Sequence, residues 1–260
     1  MNFIEDAKNV VFDEAAHTYK IGDKELISVT KFISLFSNKF DPDGAILSKK
    51  ALEKGVSEKQ LKKEWEAKGE KSRNFGTEFH ENLEHYFRTG KIKKNKHTEA
   101  IKNFSESFKF RGQIFPETRI HDELIGICGT ADIVQIIDDK MVQIHDAKTN
   151  LKEPSHFAFG KRMKEPISHV ADSKLNSYFL QISLYLYLLS SKYGYEIGEN
   201  NFIFWLNRKK NQLEKIPVEL KINEVISMIS HYTFNKNIIT EPPKEIEPTK
   251  PEEKEPEWIE

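Results

Sequence analysis

One short stretch of this sequence carries an acid and a lysine where a strand would turn both to one side. The segment IHDAKTN (residues 144–150) ends an apolar run and holds Asp146 and Lys148 two positions apart. Side chains alternate along a strand, so these two point to the same face. Taken alone they are most simply a surface ion pair, and a catalytic pair is the sharper alternative.

A second acid, Asp132, enters the preceding apolar run in the segment GTADIV (residues 129–134). Asp138 and Asp139 predict a hairpin turn between the two runs, which pairs residues whose numbers sum to about 277. Asp146 then falls within about two residues of the position opposite Asp132, close enough to share an ion. Two carboxylates on adjacent strands are oxygen ligands that suit Mg²⁺ or Mn²⁺.

Three further polar residues fall on predicted helices. His80 lies in FGTEFHENLEHYF (residues 75–87), and Gln181 and Tyr185 are one helical turn apart in QISLYLYLL. A histidine from a covering helix could complete a metal site with the two carboxylates. Lys148 could hold or deprotonate a water, or offset charge on an attacked phosphate. That is the arrangement of metal-assisted phosphodiester hydrolysis.

Each of these residues also has a purely structural interpretation. A lone helical histidine such as His80 is more often solvated than a ligand. Asp132 could be a turn acid, although the start of an apolar strand is an unfavourable place for an unpaired charge. Gln181 and Tyr185 could be ordinary residues of an amphipathic helix. The zinc-protease pattern H-E-x-x-H fails, because His80 and His85 are five positions apart.

In sequence order these motifs resemble the PD-(D/E)xK nuclease superfamily. The order is G-T-x-x-H ending at His80, G-T-x-D ending at Asp132, D-x-K-T from Asp146, and Q-x-x-x-Y from Gln181. More narrowly, they resemble the RecB-like branch with its phage and mitochondrial genome maintenance exonucleases. The segment HTYKIGDKELISVTKFIS, which begins at His17, resembles the opening of phage members. The chain departs from the family name at Ala131, where that name has proline.

The resemblance implies an α/β fold with a restriction-endonuclease-like mixed central β-sheet flanked by helices, an N-terminal β-meander and a helical cover. It implies a Mg²⁺- or Mn²⁺-dependent exonuclease that acts on DNA with a free end, single strands included, in recombination, repair or phage genome processing. The alternative is a catalytically silent member of the fold that binds nucleic acid or a protein. A small-molecule metallohydrolase is a third candidate, which no zinc signature supports.

The resemblance also implies roles for individual residues. The implied metal ligands are His80, Asp132, Asp146 and the Ala147 backbone carbonyl. Lys148 is expected to orient the attacking water. Gln181 and Tyr185 are expected to contact DNA or brace the site. Arg73 is expected to bind a phosphate of the nucleic acid, and Glu117 to lie as an acid near the site.

The amino-acid composition excludes disulfide-stabilised proteins and proteins with a four-cysteine iron–sulfur cluster. The chain has 260 residues and one cysteine, Cys128, so it can form neither a disulfide framework nor a four-cysteine iron–sulfur cluster. It therefore resembles the cluster-free members of the family. The N-terminus lacks a signal-peptide pattern and no apolar window reaches the length of a membrane span. We expect a cytoplasmic protein of a bacterium or a phage-infected cell.

Charge is unevenly distributed. Residues 241–260 hold eight Glu and three Lys, a net −5, so the other 240 residues carry about +4 of the total of −1. This Pro- and Glu-rich tail is expected to be disordered, and its Trp258-Ile259 could dock on a protein partner. The basic remainder is compatible with a polyanion partner.

Periodicity and turn residues predict one α/β domain, and the resemblance implies that residues 1–240 form a single nuclease domain. Its N-terminal part covers about residues 1–112 and its catalytic core about 113–236. The predicted strands are 10–12, 18–21, 25–27, 114–121, 124–137, 141–148, 201–207 and 213–218. The predicted helices follow Ser28, run from Ser57 to Phe87 with an interruption near Gly69, and cover 97–110, 174–193 and 222–234.

Overall fold

The computed structural model describes residues 3–13, 18–38 and 45–240. Within these residues the strands are β1 Val11–Asp13, β2 Thr18–Ile21, β3 Lys24–Ser28, β4 Gln113–Asp122, β5 Ile127–Ile137, β6 Met141–Lys148, β7 Glu196–Ile197, β8 Phe202–Asn207 and β9 Gln212–Pro217. The helices are α1 Phe3–Ala7, α2 Val29–Leu35, α3 Ala45–Lys54, α4 Glu58–Thr89, α5 Thr98–Ser107, α6 Lys174–Tyr193 and α7 Ile222–Thr240. The sequence also predicts a short helix that opens at DPDG, residues 41–44. That segment, His17 and the tail at 241–260 fall outside the described residues.

All nine described strands join one mixed sheet. Its main order is β1-β2-β3-β5-β6-β8-β9, with β4 also pairing β5 and β7 also pairing β6. The β1–β3 meander is antiparallel, β3 runs parallel to β5, and β6 runs parallel to β8. The predicted α/β fold with a mixed central sheet, an N-terminal meander and flanking helices is confirmed. The two strands that carry the predicted acids, β5 and β6, lie at its centre.

The hairpin between β5 and β6 forms where the sequence predicts it. Asp138 and Asp139 have φ values of 51° and 56°, in the left-handed region. They form a turn that the Lys140 N–H closes on the Ile137 carbonyl, and the loop between the paired residues Ile137 and Met141 has three residues. The ladder pairs Ile133 with His145, one residue away from the predicted register. Continued by one step, this register brings Asp132 opposite Asp146.

Serine caps fix where three helices begin. The side chains of Ser28, Ser57 and Ser173 accept hydrogen bonds from the main chain at the starts of α2, α4 and α6. Helix α6 has the predicted bounds. The predicted interruption near Gly69 is wrong, because α4 runs unbroken over 32 residues. A glycine costs a helix only about 1 kcal/mol, which the burial of residues such as Leu61 and Phe79 can offset.

The sheet separates two apolar clusters. On one face α6 packs with α2 and α7 against residues that include Val134, Ile144 and Ile203. On the other, α4 and α5 pack Phe79 and Phe104 against the sheet. Thirteen of the twenty residues of α6 are buried, so this helix is held by packing on several sides. Among the described residues, no helix is both long and apolar enough to cross a membrane.

Candidate metal and catalytic centre

Asp132 on β5 and Asp146 on β6 stand side by side where the main-chain ladder between these strands ends. Beyond that point, Asp132 Oδ2 accepts a hydrogen bond of 2.7 Å from the backbone N–H of Ala147. The carboxylate thus takes the place of a main-chain acceptor. Its orientation is fixed by the neighbouring strand as well as by its own.

Glu117 on β4 approaches Asp132 from the opposite side of β5. The register pairs Pro116 with Ile133 and Thr118 with Ala131, which leaves Glu117 facing Asp132. Its φ of 45° lies in the left-handed region, which residues other than glycine seldom occupy. Such strained residues cluster at functional sites. Three adjacent strands therefore each bring one acid to the same region.

His80 on α4 reaches this region from the helical layer. Its Nδ1 lies 3.5 Å from Asp132 Oδ2 and 3.6 Å from Glu117 Oε1. One ligand atom from each of the three residues lies within 4.8 Å of the other two. The His80 side chain is 29% exposed, so solvent and solutes can reach the three atoms. A nitrogen and two carboxylate oxygens converge at a point that a divalent cation could occupy.

The two acids compensate for the burial of His80. Burial lowers the pKa of His80, but the negative charges of Asp132 and Glu117 outweigh it and raise that pKa to about 9. Burial also raises the pKa of Asp132, against the charge of His80. In the protein alone, the imidazolium therefore supplies the positive charge that the acids require. A bound cation would replace that proton.

Asp146 and Lys148 form an ion pair beside the three converging donors, between Lys148 Nζ and Asp146 Oδ2. Gln181 Nε2 donates to the other Asp146 oxygen at 3.3 Å. Burial raises the pKa of Asp146 to about 6, against the charge of Lys148. Burial lowers the pKa of Lys148, but Asp146 and Asp132 more than reverse this, so its pKa is raised. Lys148 is thus an ammonium near neutral pH and a hydrogen-bond donor.

The structure brings most of the predicted residues together, with one difference in grouping. His80 and Asp132 are joined in the close donor set by Glu117, whereas Asp146 is engaged by Lys148 and Gln181. The sequence offered Glu117 only as a residue near the site. The predicted metal ligation by Asp146 and by the Ala147 carbonyl stays a prediction.

Tyr185 is placed to brace the site. Its buried hydroxyl donates to the Thr130 carbonyl at 2.9 Å and so ties α6 to β5 two residues before Asp132. A Cβ at Gly129 would lie 2.6 Å from that hydroxyl oxygen. The glycine of the GTAD motif is therefore required by the close approach of Tyr185.

Two grooves meet at Glu117. One, of about 500 Å³, runs along α4 and is lined by residues that include Arg73 and His80. The other, of about 960 Å³, is lined by β4, α1 and α4, and its wall includes Arg88 and Arg119. Two members of the donor set, His80 and Glu117, thus line an open path that carries arginines on both sides together with the acids Glu81 and Glu84.

Sequence reasoning missed the residues that hold the segment after Lys148. Arg208 Nη2 donates to the Thr149 carbonyl at 2.6 Å, and its guanidinium lies 3.6 Å from the centroid of the Phe75 ring. Trp205 Nε1 donates to the Asn150 carbonyl at 2.8 Å. These partners are far from Lys148 in sequence, and no local pattern marks them.

Two solved structures align with most of this chain at low sequence identity. No protein-family model and no curated protein matches this chain. The crystal structure of a candidate exonuclease from Eubacterium rectale aligns with a TM-score of 0.39 and 16% identity over 85% of each chain. The crystal structure of the protein SSO0001 aligns with a TM-score of 0.37 and 16% identity over 93% of this chain and 84% of that chain. Similarities at this level do not assign a function.

Proposed function

We propose that this protein is a metal-dependent nuclease that hydrolyses phosphodiester bonds in DNA. The observation that carries the proposal is the convergence of His80, Glu117 and Asp132 beside the Asp146–Lys148 ion pair. Metal donors and a fixed ammonium, side by side in an open groove, suit a phosphate substrate. The D-x-K and Q-x-x-x-Y motifs, which resemble those of PD-(D/E)xK nucleases, support the same class.

The donor set fits the proposed cofactor. Carboxylate oxygens suit Mg²⁺ and Mn²⁺, and Mn²⁺ also accepts an imidazole nitrogen. His80, Glu117 and Asp132 would hold the ion, and the family resemblance adds Asp146 and the Ala147 carbonyl. When bound, the ion would act as a Lewis acid on the scissile phosphate.

Lys148 would position the attacking water and offset charge that develops on the phosphate. Its raised pKa keeps it protonated, so it donates hydrogen bonds and does not act as the base. Gln181 keeps Asp146 in place, and Asp146 in turn holds Lys148. The water oxygen forms a bond to phosphorus while the bond to the 3′ oxygen breaks. One proton of the water passes through solvent to the departing 3′ oxygen, and the other is released to solvent as the new phosphate ionises. The products are a 5′-phosphate and a 3′-hydroxyl.

The proposal includes exonuclease action on DNA ends, in recombination, repair or phage genome processing. The family resemblance supports this part. The long helix α4, with its groove beside Arg73 and His80, is a candidate cover under which a strand end could pass. A catalytically silent member of the fold would bind nucleic acid without cleaving it.

The direct test incubates purified protein with linear and circular, single- and double-stranded DNA in Mn²⁺, Mg²⁺ or a chelator. We expect linear DNA to be shortened only with metal, and closed circles to stay intact. Lys148→Ala should lower the rate about 10²- to 10³-fold, as the loss of one electrostatic stabiliser does. Lys140→Ala is the control, about 27 Å away at the other end of β6. The proposal is wrong if neither metal supports cleavage, or if Lys148→Ala cleaves at the normal rate.

A further inference from the structure

Two phenylalanines are displayed to solvent on the loop that follows β6. Phe157 and Phe159 are 68% and 82% exposed, and their ring centroids lie 4.4 Å apart. Phe159 has a φ of 51°, in the left-handed region that favours glycine, and Gly160 follows it. The chain thus holds a bulky aromatic residue in an unfavourable backbone conformation with its ring in water. Packing within the described residues does not account for this arrangement.

This loop is attached to the start of α6. The backbone N–H of Leu175 donates to the Ser155 carbonyl at 3.4 Å, and the His156 ring packs 5.7 Å from the Phe179 ring. Two residues of chain span at most about 7 Å, so Phe157 stays close to that contact. The exposed aromatic pair therefore lies beside the first turn of α6.

The same first turn carries a lysine next to the candidate centre. Lys174 Nζ lies 5.1 Å from the centroid of the Tyr178 ring, and Lys148 Nζ lies 4.6 Å from the same centroid. Lys148 is paired with Asp146, whereas Lys174 has no ion pair with any described residue. Two ammonium groups on one ring, one of them unpaired, suit a second anionic group next to the scissile phosphate.

The loop that carries Phe157 and Phe159 is positively charged, as a nucleic-acid-binding surface requires. Residues 151–164 contain three Lys, one Arg and one Glu, a net +3. Exposed aromatic rings among cations are the arrangement with which proteins bind unpaired nucleic-acid strands, because bases stack on the rings while cations follow the backbone. An apolar protein partner would not require this charge, and a duplex would not offer its bases for stacking.

We propose that Lys174, Phe157 and Phe159 bind an unpaired strand where it adjoins the catalytic centre. Lys174 contacts the backbone phosphate next to the scissile one, and the two rings stack on unpaired bases. The inference rests on the proposed function, since the nuclease centre fixes where the strand begins. It specifies the substrate as a single strand or a frayed end.

The test measures binding of short, labelled, single-stranded and blunt double-stranded oligonucleotides by fluorescence anisotropy in a chelator, without cleavage. We expect tighter binding of the single strand. Phe157→Ala and Phe159→Ala should each raise its Kd about tenfold, the usual loss for one stacked base. Phe234→Ala, which truncates a 67% exposed phenylalanine on α7, should leave the Kd unchanged.

Lys174→Gln should change the salt dependence of strand binding. Removing one phosphate contact lowers the slope of log Kd against log salt by about 0.7 for a single strand, while the phenylalanine variants keep the wild-type slope. A residue that served only the fold would not produce this split. Lys140→Gln is the charge-matched control.

The outcomes separate the two proposals. The inference is overturned if the wild type does not prefer the single strand, or if the three variants bind it normally. It is also overturned if the phenylalanine variants only abolish self-association or binding of a protein, with strand binding intact. Strand binding through these residues without cleavage in Mn²⁺ would uphold the inference and overturn the nuclease function. Metal-dependent cleavage with normal strand binding by all three variants would uphold the nuclease function and overturn the inference.

Discussion

The protein contains two clusters built from the same kinds of side chain, an acid, a histidine and a lysine. The proposed metal-binding cluster, called the metal-site cluster below, consists of His80, Glu117, Asp132, Asp146 and Lys148. The α1 cluster consists of Asp6, His121, Lys192 and Tyr193, and joins α1 to β4 and α6. Residue types alone do not distinguish the two clusters. The balance of charge and the access to solvent do.

In the α1 cluster the negative charge of Asp6 is balanced by Lys192 within the fold. Asp6 Oδ2 accepts from Lys192 Nζ at 2.6 Å and from the Tyr193 hydroxyl at 2.5 Å, and His121 Nε2 lies 3.7 Å away. Burial raises the pKa of Asp6, but its bonds to Lys192 and Tyr193 outweigh this and lower that pKa. Asp6 and His121 are buried, and the paired Asp6 carboxylate needs no further cation. It is a structural clamp on the N-terminal helix.

In the metal-site cluster the acids exceed the cations. Three carboxylates face one imidazolium and one ammonium, and burial raises the pKa of both Asp132 and Asp146. His80 and Glu117 are 29% and 28% exposed, so a solute can reach them. Unbalanced negative charge at an accessible point is what a cation site requires. The comparison predicts that the cluster with excess negative charge serves function and that the cluster with balanced charge serves stability.

The largest expected effect is on the cleavage rate when one acid of each cluster is replaced by its amide. Asp132→Asn should lower the cleavage rate about 10³-fold, because loss of a metal ligand removes several kcal/mol of transition-state stabilisation. Asp6→Asn should cleave at the wild-type rate well below its unfolding midpoint. Initial rates in saturating Mn²⁺ test both variants, and equal losses would remove the distinction.

Stability should show the opposite order. Asp6→Asn leaves Lys192 without its carboxylate partner and with only its contacts to His121, so we expect a loss of about 3 kcal/mol in the free energy of unfolding. Asp132→Asn removes a charge that burial disfavours and should cost much less. Urea titrations followed by circular dichroism measure both. An unchanged midpoint for Asp6→Asn would contradict the clamp.

Metal affinity tests which acid completes the donor set. Glu117→Gln should weaken Mn²⁺ binding at least about tenfold, because a carboxylate in the close set is lost. Glu5→Gln, which alters an exposed acid paired with Lys8, is the control. Isothermal titration calorimetry measures the change. If Glu117→Gln binds Mn²⁺ with unaltered affinity, Glu117 is not a ligand, and Asp146 would be the third ligand beside His80 and Asp132.

In metal-free protein the pKa of His80 and the pKa of His121 should be shifted in opposite directions from the ordinary histidine value. The pKa of His80 is raised to about 9, so its stabilising contribution is complete below pH 6.5 and is lost as pH rises through 9. The pKa of His121 is lowered by burial and by Lys192, so its contribution is complete above pH 6.5 and is lost as pH falls, by up to about 1.4 kcal/mol per pH unit. Imidazole NMR titrations measure both, and shifts of the same sign would contradict the comparison.

The smallest expected effect concerns the two tyrosines near the site. Tyr185→Phe removes a buried hydrogen bond to Thr130 and should cost about 1 kcal/mol of stability with little loss of cleavage. Tyr178→Phe removes the bond to Asn150 beside Lys148 and should lower cleavage more than stability. Thermal unfolding and cleavage rates of both variants decide whether Tyr185 braces the site or acts in it.

The sequence by itself determined what local chemistry controls. Asp138 and Asp139 specify the hairpin, and Ser173 and Gly194 set the bounds of α6, because turns and caps depend on neighbouring residues. The hairpin also placed Asp132 near Asp146, to within one residue of register. The mixed α/β sheet followed from the order of strand and helix patterns.

Only the tertiary structure decided which distant groups meet. Glu117 faces Asp132 because β4 pairs with the far side of β5, and nothing local in FPETRI specifies that register. Asp6 meets Lys192 across almost the whole chain, and Arg208 reaches Thr149 through β8. The continuity of α4 past Gly69 likewise depends on the surfaces it covers. These features arise from long-range packing, whose free energy belongs to the folded chain and leaves no local pattern in the sequence.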